Sequence, residues 1–119
     1  MEKKERGIKD MDGKIRYDLI PPEALLELAR VYTNGASKYG DHNVEKGIPV
    51  HECIGAIERH IARLKMGQDL SPRHYTHEAA HAAFWCFTLI SQYYRGLEVE
   101  DRRKGRGIHE HLIQWFLES

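Results

Sequence analysis

Two imidazoles and a carboxylate lie within the short string His77-Glu-Ala-Ala-His81. On a helix, side chains three and four positions apart stack one turn above the next, so His77, Glu78 and His81 can converge on one side. Neutral imidazoles are common ligands of divalent metals, and a carboxylate beside them can take a proton from water. The string also matches H-E-x-x-H, in which two His hold zinc and the Glu activates water in a metalloprotease. Such a protease needs a third ligand and a cleft built on a strand edge, and no strand alternation of useful length occurs in this chain. The plain alternative is two partly exposed His at the start of a helix.

Further groups join this string if the helices carrying them are neighbours. His60 lies beside the apolar stripe of a preceding helix, and Asp69 lies on the short connection between the two. Two helices joined so briefly pack antiparallel, which brings the end of one against the start of the other. His60, Asp69, His77 and His81 can then surround one divalent ion, with Glu78 as general base where it is not itself a ligand. Imidazole-rich sites suit Mn, Fe, Co, Ni or Zn better than Mg. Lys38, Arg59 and Arg63 carry the cationic donors that bind phosphate oxygens, and Tyr39 and Asn43 can add stacking and neutral hydrogen bonds. Each of these also has the ordinary reading of a solvated surface group. No glycine pattern for cradling phosphates is present, so a phosphate would be held by side chains and a metal.

The elements that must position these groups read as helices. The longest apolar run, Tyr75 to Tyr94, has no Gly or Pro and is apolar nearly all round, which predicts a core helix. A first helix starts near Pro22, carries Leu25, Leu28, Ala29, Tyr32 and Ala36 at helical spacing, is weakened at Asn34-Gly35, and ends by Gly40. A second runs from about Pro49 to Lys65 with Ile54, Ile57, Ile61 and Leu64 as its stripe. A last, amphipathic helix spans Ile108 to Leu117. Residues 1–13 read as a mobile lead-in, 14–96 as the core, and 97–119 as a charged connection plus the final helix, with Arg102-Arg103-Lys104 a solvated link. The expected class is a single all-α domain, a small bundle of about four helices.

Composition bounds the partners. With 119 residues there is room for one modest core. Lys plus Arg and Asp plus Glu each number 18, a balance that argues against a nucleic-acid polymer as partner. Cys53 and Cys86 both fall inside apolar helical patterns and read as reduced core thiols. The charged start MEKKERG has no apolar signal region, and no run nears the roughly 20 apolar residues of a membrane span. A cytoplasmic protein without membrane partners is expected.

Taken together, KIRYDLIPP, GASKYGDHN, the Arg59-His60 pair, the Asp69 loop and HEAAHAAFW resemble the phage-type dATP/dGTP diphosphohydrolase N-terminal domain family, often grouped with MazG-like all-α pyrophosphohydrolases. The resemblance runs from Lys14 to about Tyr94. It implies a MazG-like bundle that forms a homo-oligomer, uses a divalent metal ion such as Mg or Mn, and cleaves a deoxynucleoside triphosphate to monophosphate and pyrophosphate. It also marks Lys38, Tyr39, Asn43, Arg59, His60, Asp69, His77 and His81 as positions to watch. MazG-like enzymes hold Mg through E-x-x-E and E-x-x-D pairs. Here the first pair is missing, and the nearest match to the second is Glu78-x-x-His81. A nucleotide-sequestering protein without hydrolysis is therefore the rival expectation.

Overall fold

The computed structural model describes residues 5–97, 99–102 and 110–119, without the side chains of 110, 111 and 113. It contains α1 (Pro22–Tyr39), α2 (Val50–Lys65), α3 (Glu78–Tyr94) and α4 (Glu110–Glu118), with 3-10 turns at Tyr17–Leu19 and Asn43–Lys46. The all-α class expected from sequence is what is observed. Pro22 supplies the fixed φ that suits a first helical turn, Glu23 opposes the positive helix end, and Gly40 closes α1 at φ 88. Asn34-Gly35 lies inside α1 without breaking it.

α2 and α3 form the central antiparallel pair. Late α2 meets early α3 at His60 and Glu78, while the residues just before α2 meet the end of α3 at Ile48 and Gln92. The buried contacts are small: Cys53 and Ala56 on α2, Ala80 and Ala82 on α3. α1 lies on α3, burying Leu28 and Val31 and setting the Tyr32 ring 4.5 Å from that of Phe84.

Buried polar groups fix the connections. Gln92 accepts from the Ile48 N–H at 3.2 Å and donates to the Ile48 carbonyl at 3.0 Å, tying the loop before α2 to α3. Residues 99–102 return to the start of α2, where the Val50 N–H reaches the Val99 carbonyl (3.1 Å) and the His51 N–H reaches Asp101 Oδ1 (2.9 Å). Gly47 makes this crossing possible. Its φ is +95, and a Cβ there would lie 2.9 Å from Val99 Cγ1.

Four expectations are corrected. The central helix begins at Glu78, not Tyr75, because residues 70–77 close a tight loop through Ser71 N–H to the Thr76 carbonyl (2.8 Å) and Tyr75 N–H to the Ser71 carbonyl (3.0 Å). α3 is not wrapped on all sides, since Phe87 and Ile90 are about half exposed. Cys86 shares that open face and is exposed, whereas Cys53 is buried, and both thiols are free. On α1, Leu25 and Ala29 are exposed, and Val31 takes the buried place. Ile108, Arg103 and Lys104 lie outside the described residues. Among the described residues no helix is long and apolar enough to cross a membrane.

Candidate active site

The crossing of α2 and α3 places a buried carboxylate behind a groove. Glu78, in the first turn of α3, is 1% exposed. Its Oε2 accepts from His60 Nδ1 at 2.6 Å and its Oε1 from Gln68 Nε2 at 3.0 Å, with Arg63 Nη1 3.6 Å away. Burial pushes this carboxyl up. The His60 hydrogen bond and charge, the Gln68 amide and the Arg63 guanidinium outweigh it and leave the carboxyl below its ordinary range.

A carboxylate can only accept, so the proton of neutral His60 sits on Nδ1, and Nε2 remains the free basic nitrogen on the opposite ring edge. His81 stacks on His60 with ring centroids 4.8 Å apart. Its Nε2 is 2.6 Å from Thr76 Oγ1, which in turn lies 3.1 Å from Ser71 Oγ. Burial first, and then the neighbouring His60, push the His81 imidazole down; Arg63 and His74 add to this, while Glu78 acts against it. His81 is thus biased toward its neutral form where it stacks on His60.

The loop ahead of α3 sets these positions. Tyr75 adopts a left-handed φ of 57, unusual for a bulky residue, and turns the chain so that the fully buried Thr76 faces His81. Glu78 N–H donates to the Asp69 carbonyl (2.8 Å), and His77 N–H donates to Glu27 Oε2 on α1 (3.1 Å).

In front of His60 opens a groove of about 1020 Å³ between α1, α2 and the loop before α3. Lys38, Arg59, Arg73, His51 and His74 line it together with His60 and His81, and among the described residues Glu52 is the one acidic residue in its lining. Two glycines inside helices also line it, Gly35 on α1 and Gly55 on α2. At Gly55 an added Cβ would stand 3.1 Å from Arg59 Nη1, so the missing side chain leaves room for that guanidinium to fold over α2.

The structure therefore brings together only part of what the sequence suggested. Lys38, Tyr39, Asn43, Arg59, His60 and His81 all line the groove. Arg63 turns instead toward Glu78 and His60. Glu78 lies behind His60 rather than in the groove lining, so it orients an imidazole. His77 is the residue before α3, outside the helix, and its Nδ1 accepts from the Ala79 N–H at 3.0 Å; the expected one-turn ladder of His77 over His81 does not form. Asp69 contributes its backbone carbonyl to Glu78. Among the described residues no three His, Cys, Asp or Glu side chains are placed to share a metal ion. The donor set His60, Asp69, His77 and His81 thus does not fit a single ion as arranged here.

Gln68, Ser71, Arg73 and Thr76 join the site without a signal in the sequence. Polar side chains on loops carry no periodicity to mark them. Gly35 did carry a signal, since a glycine within a helix lowers its stability and calls for a reason.

A family model described as dATP/dGTP diphosphohydrolase, N-terminal, matches residues 4–102. A Salmonella phage PMBT28 protein named dATP/dGTP diphosphohydrolase is 38% identical over 77 residues, which are 65% of this chain and 26% of that protein. The chain thus spans about a quarter of the length of that curated relative. No solved structure matches the chain.

Proposed function

The chain belongs to the dATP/dGTP diphosphohydrolase N-terminal family, and on that premise we propose that it hydrolyses a purine deoxynucleoside triphosphate to the monophosphate and pyrophosphate. The observation that carries the reading is an imidazole, His60, fixed by a buried carboxylate at the edge of a groove lined by Lys38, Arg59 and Arg73. The three cations neutralise the phosphate chain, and more so as charge builds on it during cleavage. His60 Nε2 takes the proton from a water that attacks the α-phosphorus, and pyrophosphate leaves. Glu78 holds the ring and stabilises the imidazolium that forms, the part a carboxylate plays behind a catalytic His. His81, biased toward its neutral form by burial, adds little opposing charge.

A divalent ion belongs to this proposal as a companion of the nucleotide. Mg is often held by substrate phosphates and only one or two carboxylates, which here leaves Glu52 as its protein ligand. Bound so, the ion would polarise a phosphoryl oxygen.

The rival reading, sequestering without hydrolysis, is favoured by that single groove carboxylate. Incubation with each dNTP and Mg, Mn or Co, with pyrophosphate and nucleotide quantified, separates the two. Pyrophosphate and dNMP in equal amounts support hydrolysis, intact nucleotide recovered from a stable complex supports sequestering, and no binding with any ion removes both. We further propose a homo-oligomer, with the exposed Phe87 and Ile90 on α3 and Trp115 and Phe116 on α4 as its contact residues.

A further inference from the structure

A second cavity, about 330 Å³, adjoins the groove at the C-terminal end of α1. The two share Gly35, Tyr39, Asn43, Val44 and Phe84 in their linings, so they adjoin as two chambers along a common wall. Their chemistry differs sharply. The groove holds the cations, whereas the smaller chamber has aromatic walls from Tyr32, Tyr39 and Phe84, its acidic residues are Asp41 and Glu45, and among the described residues neither Lys nor Arg lines it. A polyphosphate is repelled from such a chamber, and a flat ring bearing N–H donors is not.

We propose that this chamber is the nucleobase pocket, with a purine ring against Tyr39 and Phe84 and its polar edge met by Asn43 and the Asp41 carboxylate. Aromatic faces stack on any base, and more strongly on the larger ring system. A carboxylate accepts from adjacent ring and exocyclic N–H groups, and an amide offers both donor and acceptor. The triphosphate then runs past Gly35 and Asn43 toward Lys38, Arg59 and His60.

Two features indicate a site built in advance. Residues 40–47 are bounded by Gly40 (φ 88) and Gly47 (φ 95) and include His42 at φ 60, and the loop is pinned by Arg95 to Glu45 (3.3 Å) and by Gln92 to Ile48. Gly35 lies inside α1, where glycine costs helix stability. A Cβ there would meet no atom of the described residues within 4 Å, so packing does not require the glycine, and a bare backbone at a position lining both chambers leaves the way between them clear.

This inference rests on the proposed nucleotide substrate, and one set of titrations separates the two. Calorimetry would use dATP, dGTP, dCTP, dTTP, free deoxyguanosine and inorganic tripolyphosphate on the wild-type chain and on Ala36→Leu, Asp41→Asn and Arg59→Ala. Ala36 and Asp41 line only the chamber and Arg59 only the groove. Ala36→Leu is expected to weaken dATP and dGTP by about tenfold or more, the scale of a lost base stack, and to leave tripolyphosphate unchanged. Asp41→Asn, at an exposed position, is expected to change the dGTP to dATP affinity ratio, and Arg59→Ala to weaken tripolyphosphate and every dNTP alike. Purine binding unchanged in both chamber variants, with deoxyguanosine failing to compete, overturns the pocket assignment while the substrate reading stands. Failure of wild-type protein to bind either dNTP or tripolyphosphate overturns the substrate reading itself.

Discussion

Glu78 shows how a buried charge can be tolerated at the candidate site. A carboxylate out of water is costly unless its lone pairs are used, and here an imidazole N–H, an amide and a nearby guanidinium use them. Removing one partner from such a cluster is severe. Glu78→Ala is expected to lower unfolding free energy by about 3 kcal/mol, read by urea denaturation. His60→Gln keeps much of the volume but loses the base, and is expected to cut pyrophosphate release by about 10²-fold or more, the range for a general base, with nucleotide binding largely retained.

The pH dependence follows from the same groups. The folded-state values of both His81 and Glu78 lie below their ordinary ones. In each case the unfolded chain takes up its proton first, so stability is present above the ordinary range and is lost as pH falls toward the folded value. Denaturation midpoints should therefore drop on acidification below the ordinary imidazole range and drop again below the carboxylate range. His81→Gln should abolish the first step, and its persistence in that variant would contradict the assignment.

Among the elements, α1 and α3 show opposite uses of an exception to helical pattern. Gln92 is a buried polar residue in an apolar helix, and both hydrogen bonds of its amide go to Ile48. Gln92→Leu leaves the Ile48 N–H and carbonyl without those partners. It is expected to cost about 2 kcal/mol and to loosen residues 43–49, seen as faster amide exchange there. Gly35 is the reverse case, a helix-weakening residue that lines both cavities. Gly35→Ala should raise stability by about 0.5–1 kcal/mol in the same denaturation assay. A fall instead would mean that the glycine is needed for packing.

For the whole molecule, the modest buried set of Leu28, Val31 and four smaller side chains contrasts with the large apolar side chains left open on α3 and α4. Light scattering on eluted protein is expected to give a multiple of the chain mass of 13.9 kDa. Phe87→Glu with Ile90→Glu is expected to shift that mass toward one chain, because charge in an apolar contact must be desolvated. A single-chain mass for the unmodified protein would end the oligomer proposal.

Helix number and approximate bounds could be read from the sequence because periodicity, Pro22, Pro49 and the glycines after α1 and α2 act locally on the backbone. The gathering of Lys38, Arg59, His60 and His81 around one groove was likewise legible from residue type and element order. Which of the remaining groups meet was decided by tertiary structure. The turn at residues 70–77 ends with His77 outside the helix, which separates two imidazoles that a continuous helix would have aligned and sends Glu78 beneath His60. Hydrogen bonds between loop atoms distant from any repeating pattern made that choice, and spacing along a chain carries no record of them.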